Sequence, residues 1–342
     1  MGDQQVSPLA PYDPPLEETY KNLLKNELGG SSPMSVQEQI IVEARELPLI
    51  DLNKLRSGEK EREECKREIA KASEEWGFFQ VLNHGIPRNL LVEMREEQEK
   101  LFRKPFIEKL NDKNLLDGSY WWGTSSANCL AHQFSWSEAF HLPLSHIYDS
   151  GCLTSISSTM EQYASKVSEL AQQFAEILTE NIGQDPSYIK QMCLPNTCYL
   201  RMNRYPSCPL PQEVTGLMPH TDSDFLTILH QDEIGGLQLF KDGKWVAVKP
   251  YDGALIINIG DLFQAWSNDV YKSVEHRVVV NKWSERFSMA YFLCPTHDTI
   301  IESFVKPSVY RRFSFREYRQ QVQEDVKKFG CKIGLPKFLN II

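Results

Sequence analysis

The sequence predicts a mainly β fold with flanking helices, built around an antiparallel barrel or sandwich. Between Thr197 and Phe292, short apolar segments with a period of two residues recur at close spacing. Turn signals separate several of them, at Gly235-Gly236, Asp242-Gly243 and Asp252-Gly253. Segments with helical periodicity occur before and after this region, which places the helices around the sheets.

The N-terminal part alternates between strands and helices. Residues 1–45 contain several prolines and a Gly-Gly-Ser-Ser-Pro run, so we expect a loose lead-in. After it we predict a strand at 47–52, a helix around 65–76, a strand at 78–83 and a helix from about Leu90 to Leu110. These elements form an N-terminal helix and strand region over residues 46–150.

A long amphipathic helix precedes the strand-rich region. Apolar residues from Met160 to Ile177 recur every three or four positions, and the run ends at Gly183. We therefore expect residues 151–195 to form a support helix and connector, and residues 196–298 to form the barrel. The strands are predicted at 197–205, 226–230, 237–240, 245–248, 254–259, 274–280 and 286–293. A capping box at Ser314 and Glu317 starts a last helix, within a C-terminal helical closure over 299–342.

Composition excludes several classes of protein. The 342 residues carry a net charge of −9, which disfavours nucleic acid as a partner. The eight cysteines form no Cys-x-x-Cys pair, so neither a zinc-thiolate site nor a disulfide framework is indicated. No apolar run approaches the ~20 residues of a membrane span, and no targeting segment is visible. We expect a cytoplasmic protein with access to the nucleus, and the sequence does not indicate its oligomeric state.

His220 and Asp222 are the first candidate metal ligands. Side chains two residues apart on a strand point to the same face, so both can reach one ion. Two histidines and one carboxylate, with open positions left on the metal, suit non-haem Fe(II) that activates oxygen. His276, at the start of an apolar strand, is a candidate for the second histidine. Spacing alone leaves alternatives open at His230, His297 and Asp224.

Arg286 and Ser288 form a second polar pair, on one face of a strand that also carries Phe292. A planar guanidinium beside a hydroxyl suits the far carboxylate of a dicarboxylic acid, through charge-assisted hydrogen bonds. The alternative is an ordinary surface ion pair. A third strand has a similar polar face, formed by Tyr199, Arg201, Asn203 and Tyr205. Such a row suits the interior of a barrel that binds a polar ligand, or else the solvent side of an edge strand.

Taken together, these motifs resemble the plant Fe(II)/2-oxoglutarate-dependent dioxygenases. The resemblance covers roughly residues 46–340, and its motifs are Asn203-x-Tyr205, His220-x-Asp222, His276 and Arg286-x-Ser288. Within that family the chain is most similar to the gibberellin 2-oxidases, of the class that acts on twenty-carbon gibberellins. The stretches that carry this closer likeness are 135–141, 261–268 and 310–315. One departure is visible at Trp121, where the family pattern Ser-Tyr-Arg-Trp-Gly has arginine.

The resemblance implies a double-stranded β-helix (jelly-roll) core and a set of residue roles. His220, Asp222 and His276 would be the iron ligands. Arg286 and Ser288 would hold 2-oxoglutarate, with Tyr205 and Asn203 assisting. The implied cofactors are Fe(II), 2-oxoglutarate as co-substrate and O₂, with ascorbate in support.

The implied substrate is an apolar diterpenoid acid. Arg201 is the first candidate cation for its carboxylate and Arg311 the second. Candidate aromatic walls are Tyr120, Trp122, Phe134 and Phe292. Rival functions are a gibberellin 20- or 3-oxidase, another flavonoid or hormone oxidase on the same scaffold, a barrel that binds a small acid without turnover, and a zinc hydrolase.

Overall fold

The structure is a computed structural model that describes residues 11–28, 43–112, 118–124, 129–148, 158–194 and 197–340. Its helices are α1 (Leu16–Leu28), α2 (Glu59–Glu75), α3 (Arg88–Phe102), α4 (Phe106–Asn111), α5 (Leu144–Tyr148), α6 (Ser158–Asn181), α7 (Ser187–Met192), α8 (Asp261–Trp266) and α9 (Phe315–Phe329). No helix in these ranges is long and apolar enough to cross a membrane.

The strands are, in chain order, β1 (Glu43–Arg45), β2 (Leu49–Asp51), β3 (Phe78–Leu82), β4 (Tyr120–Trp122), β5 (Glu138–Pro143), β6 (Tyr199–Tyr205), β7 (Thr215–His220), β8 (Leu226–Gln231), β9 (Leu237–Lys241), β10 (Lys244–Val248), β11 (Leu255–Ile259), β12 (His276–Val279), β13 (Arg286–Leu293), β14 (Ile300–Ile301) and β15 (Phe313–Ser314). All seven strands predicted between 197 and 293 are present, with ends shifted by at most a few residues.

Two sheets form the core of the fold. One has five strands in the order β1-β10-β9-β12-β7, and the other has eight in the order β2-β3-β11-β8-β13-β6-β5-β4. Most neighbouring strands are antiparallel, the exceptions being the edge pairs β1–β10 and β2–β3. Residues of both sheets line one central cavity, so the sheets face each other. The predicted mainly β fold with a jelly-roll core and flanking helices is confirmed.

Helix α6 supports the eight-stranded sheet from outside. Its apolar stripe is buried and packs on β8 and β13, with α2 and α3 alongside it. Tyr163 and Phe174 of this stripe are fully buried. The amphipathic period of the sequence thus correctly identified the buried face of α6. This face covers the outer side of strands β8 and β13.

Four local predictions need correction. The lead-in that was expected to be loose contains helix α1, whose Leu16 and Tyr20 are buried. The helix expected from Leu90 to Leu110 is two helices, because Pro105 lacks a backbone N–H and disfavours helical backbone before it. Strands β4 and β5, which complete the large sheet, were not predicted. Strand β7 ends at His220, so Asp222 lies in the turn beyond it rather than two places along a strand.

Candidate metal centre

His220, Asp222 and His276 converge at one end of the cavity. His220 ends β7, and His276 begins β12 directly opposite it in the antiparallel pair. The Nε2 atoms of both histidines lie 3.7 Å from Oδ1 of Asp222. Among the residues that the structure describes, this is the one group of three or more histidine, cysteine or acidic side chains whose ligand atoms lie within 4.8 Å of one another.

Hydrogen bonds orient both histidines for a metal. Nδ1 of His220 donates to the carbonyl of Met218 at 2.8 Å, and Nδ1 of His276 donates to that of Val274 at 3.0 Å. Because a carbonyl only accepts, these bonds leave both Nε2 lone pairs facing Asp222. The arrangement fits a metal that is bound by two imidazoles and one carboxylate, with positions left open.

The geometry selects Asp222 over Asp224 as the ligand, and the pKa shifts of the two carboxyls agree with that choice. Burial raises the pKa of Asp222, but the two histidines and its hydrogen-bond donors outweigh burial and lower that pKa to about 2. Burial and the neighbouring His276 lower the pKa of His220 to about 3. Burial and the charge of Asp222 raise the pKa of Asp224 well above its usual range. At neutral pH, Asp222 is therefore ionised beside a neutral His220, whereas the surroundings of Asp224 favour its protonated form.

The other two histidines left open by spacing lie elsewhere. His230 is on β8 and lines a separate groove on the far side of the large sheet. His297 stacks on Phe315 near the start of α9. The spatial arrangement thus singles out His276 as the partner of His220.

Arg286 and Ser288 line the same cavity, whose volume is about 420 Å³. Nη1 of Arg286 donates to Oγ of Ser288 at 3.2 Å, and the guanidinium lies 4.9 Å from the ring centroid of Tyr205. Arg286 is 2% exposed, and its Nε is buried without a partner. Within the described ranges no carboxylate lies within 4 Å of it. A buried, unneutralised guanidinium beside a hydroxyl fits the carboxylate of an acidic co-substrate.

Strand pairing places Asn203 and Tyr205 in this pocket. β6 and β13 are antiparallel, with Asn203 opposite Ser288 and Tyr205 opposite Arg286.

One residue that the sequence analysis missed joins these strands from outside. Gln98 of α3 is 2% exposed, and its Nε2 donates to the carbonyls of Asn203 at 3.1 Å and Ser288 at 2.8 Å. Nothing in the sequence indicated that Gln98, on the highly charged helix α3, would link these two strands.

Arg201 and Phe292 also line the cavity. Nε of Arg201 donates to Oδ1 of Asn203 at 2.9 Å. Phe292 stacks on Tyr199 with ring centroids 4.5 Å apart, and His141 stacks on the other side of Tyr199 at 4.0 Å. This region therefore offers a cation next to a flat aromatic wall.

The other three predicted aromatic walls lie outside the cavity. The hydroxyl of Tyr120 donates to the buried carboxylate of Glu138. Phe134 is 1% exposed and belongs, with Trp122, to a separate apolar cluster. Part of that cluster is contributed by α1, through Tyr20. The aromatic composition of these segments indicated burial, but their contacts are with the protein core.

Arg311, the second candidate cation, also lies outside the cavity. Its Nη1 pairs with Glu317 at 2.8 Å, and both side chains are exposed. Its guanidinium lies 4.6 Å from the ring centroid of Phe338. Trp121, at the position where the sequence departs from the family pattern, is 47% exposed on the edge strand β4 and is not a lining residue.

Lys332 is a further lining residue that the sequence analysis missed. Its Nζ donates to the carbonyl of Thr221 at 2.8 Å and to Oγ of Ser223 at 2.9 Å, and it pairs with Asp261 at 2.8 Å. These contacts hold the turn that carries Asp222. Only tertiary structure brings this C-terminal lysine to a turn more than 100 residues earlier in the chain.

Two family models match the chain. Residues 196–295 match the 2OG-Fe(II) oxygenase superfamily, and residues 47–151 match the non-haem dioxygenase in morphine synthesis N-terminal family. Gibberellin 2-beta-dioxygenase 8 of Arabidopsis thaliana is 58% identical over 96% of this chain and 99% of its own length. Gibberellin 2-beta-dioxygenase 6 of Oryza sativa subsp. japonica is 48% identical over 95% of this chain and 96% of its own.

A solved structure has the same architecture. JOX2 in complex with 2OG, Fe and JA is 28% identical, with a TM-score of 0.75 over 92% of this chain and 97% of that one. Fe(II) and 2-oxoglutarate are accordingly the cofactor and co-substrate of this chain. The chain belongs to the 2OG-Fe(II) oxygenase superfamily and, within it, to the plant gibberellin 2-beta-dioxygenases.

Proposed function

We propose that this protein catalyses the 2-oxoglutarate- and O₂-dependent 2β-hydroxylation of a gibberellin of the twenty-carbon class, which inactivates the hormone or its precursors. One observation carries the proposal. A His-Asp-His cluster and a buried guanidinium without a carboxylate partner share one cavity, in a chain that is 58% identical to a gibberellin 2-beta-dioxygenase.

His220, Asp222 and His276 would hold the iron through Nε2, Oδ1 and Nε2. When bound, Fe(II) supplies the oxygen chemistry that couples oxidative decarboxylation of 2-oxoglutarate to C–H hydroxylation. Arg286 and Ser288 would bind the distal carboxylate of 2-oxoglutarate, with the ring of Tyr205 against the guanidinium and Asn203 nearer the metal. The protein's part is to orient both substrates and to exclude water.

Arg201 would bind the carboxylate of the gibberellin, and Phe292 would contact its apolar skeleton. Arg201 has a neutral partner in Asn203, and no acid lies within 4 Å of it in the described ranges, so its charge is available to a ligand. Of the cations that line this mostly apolar cavity, Arg286 is assigned to the co-substrate and Lys332 is paired with Asp261, so Arg201 is left for an apolar acid. The other predicted contacts, Tyr120, Trp122, Phe134 and Arg311, are not part of this proposal.

The test is a product scan by mass spectrometry. Purified enzyme receives Fe(II), 2-oxoglutarate and either twenty-carbon or nineteen-carbon gibberellins, with His276→Ala as the inactive control. We expect 2β-hydroxylated products, formed faster from the twenty-carbon compounds. Oxidation at another carbon, or succinate release without any gibberellin product, would contradict the proposed reaction. Repeating the assay without ascorbate tests whether that reductant supports turnover.

A further inference from the structure

The partner of Arg286 on the side away from Ser288 is an uncharged amide. Nη2 of Arg286 donates to Oε1 of Gln231 at 2.9 Å. Gln231 ends β8, where it lies opposite Ser288 in the antiparallel pair with β13. Its own Nε2 is buried without a hydrogen-bond partner. Gln231 is half-buried, but a buried amide nitrogen without an acceptor costs free energy, which calls for a reason why glutamine occupies this position.

The neighbouring acid makes no hydrogen bond or ion pair with Arg286 either, although the two charges attract each other from farther apart. Asp232 follows Gln231 directly, but its Oδ2 accepts from the backbone N–H of Phe287 and its Oδ1 accepts from that of Ile234 at 3.2 Å. The carboxylate is thus directed at the backbone, and no ion pair joins it to Arg286 within 4 Å. A glutamate in place of Gln231 has the same length as glutamine and would meet Nη2 as a charge-assisted pair.

We propose that Gln231 is a positioning residue for the co-substrate: it orients the guanidinium of Arg286 through a neutral acceptor and leaves the positive charge to the distal carboxylate of 2-oxoglutarate. The inference rests on the proposed role of Arg286. A carboxylate at position 231 would orient the guanidinium equally well, but it would compete with the co-substrate for the charge.

The test compares three variants of the pocket with a matched control. Gln231→Glu adds the competing charge, Gln231→Met removes the acceptor, and Arg286→Met removes the cation. The control is Gln238→Glu, because Gln238 is 6% exposed and its Oε1 accepts from Nε of Arg277 at 2.8 Å, away from Arg286. The readouts are 2-oxoglutarate affinity by anaerobic calorimetry on Co(II)-loaded protein, the melting temperature, and KM and kcat for 2-oxoglutarate.

We expect Gln231→Glu to weaken 2-oxoglutarate binding at least about 10-fold, the scale of a lost charge-assisted contact. The effect should appear in KM more than in kcat, exceed that of Gln231→Met, and leave the melting temperature at or above that of the parent. Gln238→Glu should stay within about twofold of the parent affinity. Parent-like binding by Gln231→Glu, or binding no weaker than that of Gln231→Met, would overturn the inference. Parent-like binding by Arg286→Met would instead refute the proposed role of Arg286.

Discussion

Oγ1 of Thr227 donates to Oδ2 of Asp222 at 2.6 Å, and so fixes which oxygen of the carboxylate is free. The amide of Asn258 donates to the same Oδ2 at 2.7 Å. Both donors satisfy one oxygen and leave Oδ1 directed at the two histidines. The orientation of a metal ligand thus depends on residues that do not touch the metal.

Replacing this hydroxyl should weaken metal binding without unfolding the protein. Thr227→Val keeps the shape of the side chain, so we expect about 10-fold lower affinity for Co(II) or Fe(II), the scale of an outer-shell hydrogen bond. A Co(II) titration followed by absorbance measures this. Thr179→Val is the control, because Thr179 is fully buried and donates only to the carbonyl of Ala175 in α6. Equal metal affinity in both variants would argue against a role for Thr227 in orienting Asp222.

Removing one histidine of the cluster should abolish both iron binding and turnover. We expect purified His220→Ala to contain little iron by metal analysis and to release no succinate, because two remaining ligands hold Fe(II) poorly. His230→Ala is the comparison, since His230 lies outside the cluster and should leave the iron content unchanged. A His220→Ala variant with full activity would disprove the ligand assignment.

Replacing Arg201 should weaken the binding of gibberellin and leave the binding of 2-oxoglutarate unchanged. For Arg201→Met we expect a KM for gibberellin raised at least about 10-fold, from the loss of a charge-assisted contact. The KM for 2-oxoglutarate should change little. Arg201→Lys keeps the charge and should recover part of the affinity. If both variants retain the parent KM for gibberellin, the carboxylate binds elsewhere.

A buried charge cluster should matter for stability alone. Lys109 and Glu138 form an ion pair whose side chains have no exposed surface, and Lys109 also donates to the carbonyls of Tyr12 at 2.7 Å and Phe102 at 3.0 Å. Lys109→Met leaves these acceptors buried without their donor, so we expect a loss of about 3 kcal/mol in the free energy of unfolding. Urea denaturation measures it, with the exposed Lys166→Met as control. A loss no larger than the control's would mean that the cluster relaxes around the gap.

His141 should make the protein less stable in mild acid. Burial and the positive charges of Arg201 and Arg319 lower the pKa of its imidazole to about 4. The unfolded chain binds a proton at the ordinary pKa of about 6.5, so this contribution to stability is complete above that pH and is lost as the pH falls toward 4. His141→Phe keeps an aromatic ring against Tyr199 without titrating. We expect a smaller drop in unfolding free energy between about pH 7 and pH 5 for this variant, by about 2 kcal/mol. Equal drops would show that His141 does not contribute.

The strands of the barrel could be predicted because the alternation of polar and apolar residues is visible within a short stretch of sequence. The polar faces of β6 and β13 were read correctly, and Arg201 and Phe292 line the cavity as strand parity required. Gln98, Gln231 and Lys332 could not be found in this way, since their roles come from contacts between distant segments. For the same reason, Phe134 and Tyr120 could not be assigned to the core rather than to the cavity.

Strand β13 is buried along its whole length, with core residues such as Phe287 and Met289 alternating with the cavity residues Arg286 and Ser288. An insertion or deletion of one residue within β13 would exchange its core residues with its cavity residues. The protein would then lose the core packing and the co-substrate pocket together. The pocket is therefore expected to change during evolution only by substitution. New substrate ranges should then arise by substitutions around Tyr199 and Arg201, while the length of β13 stays constant.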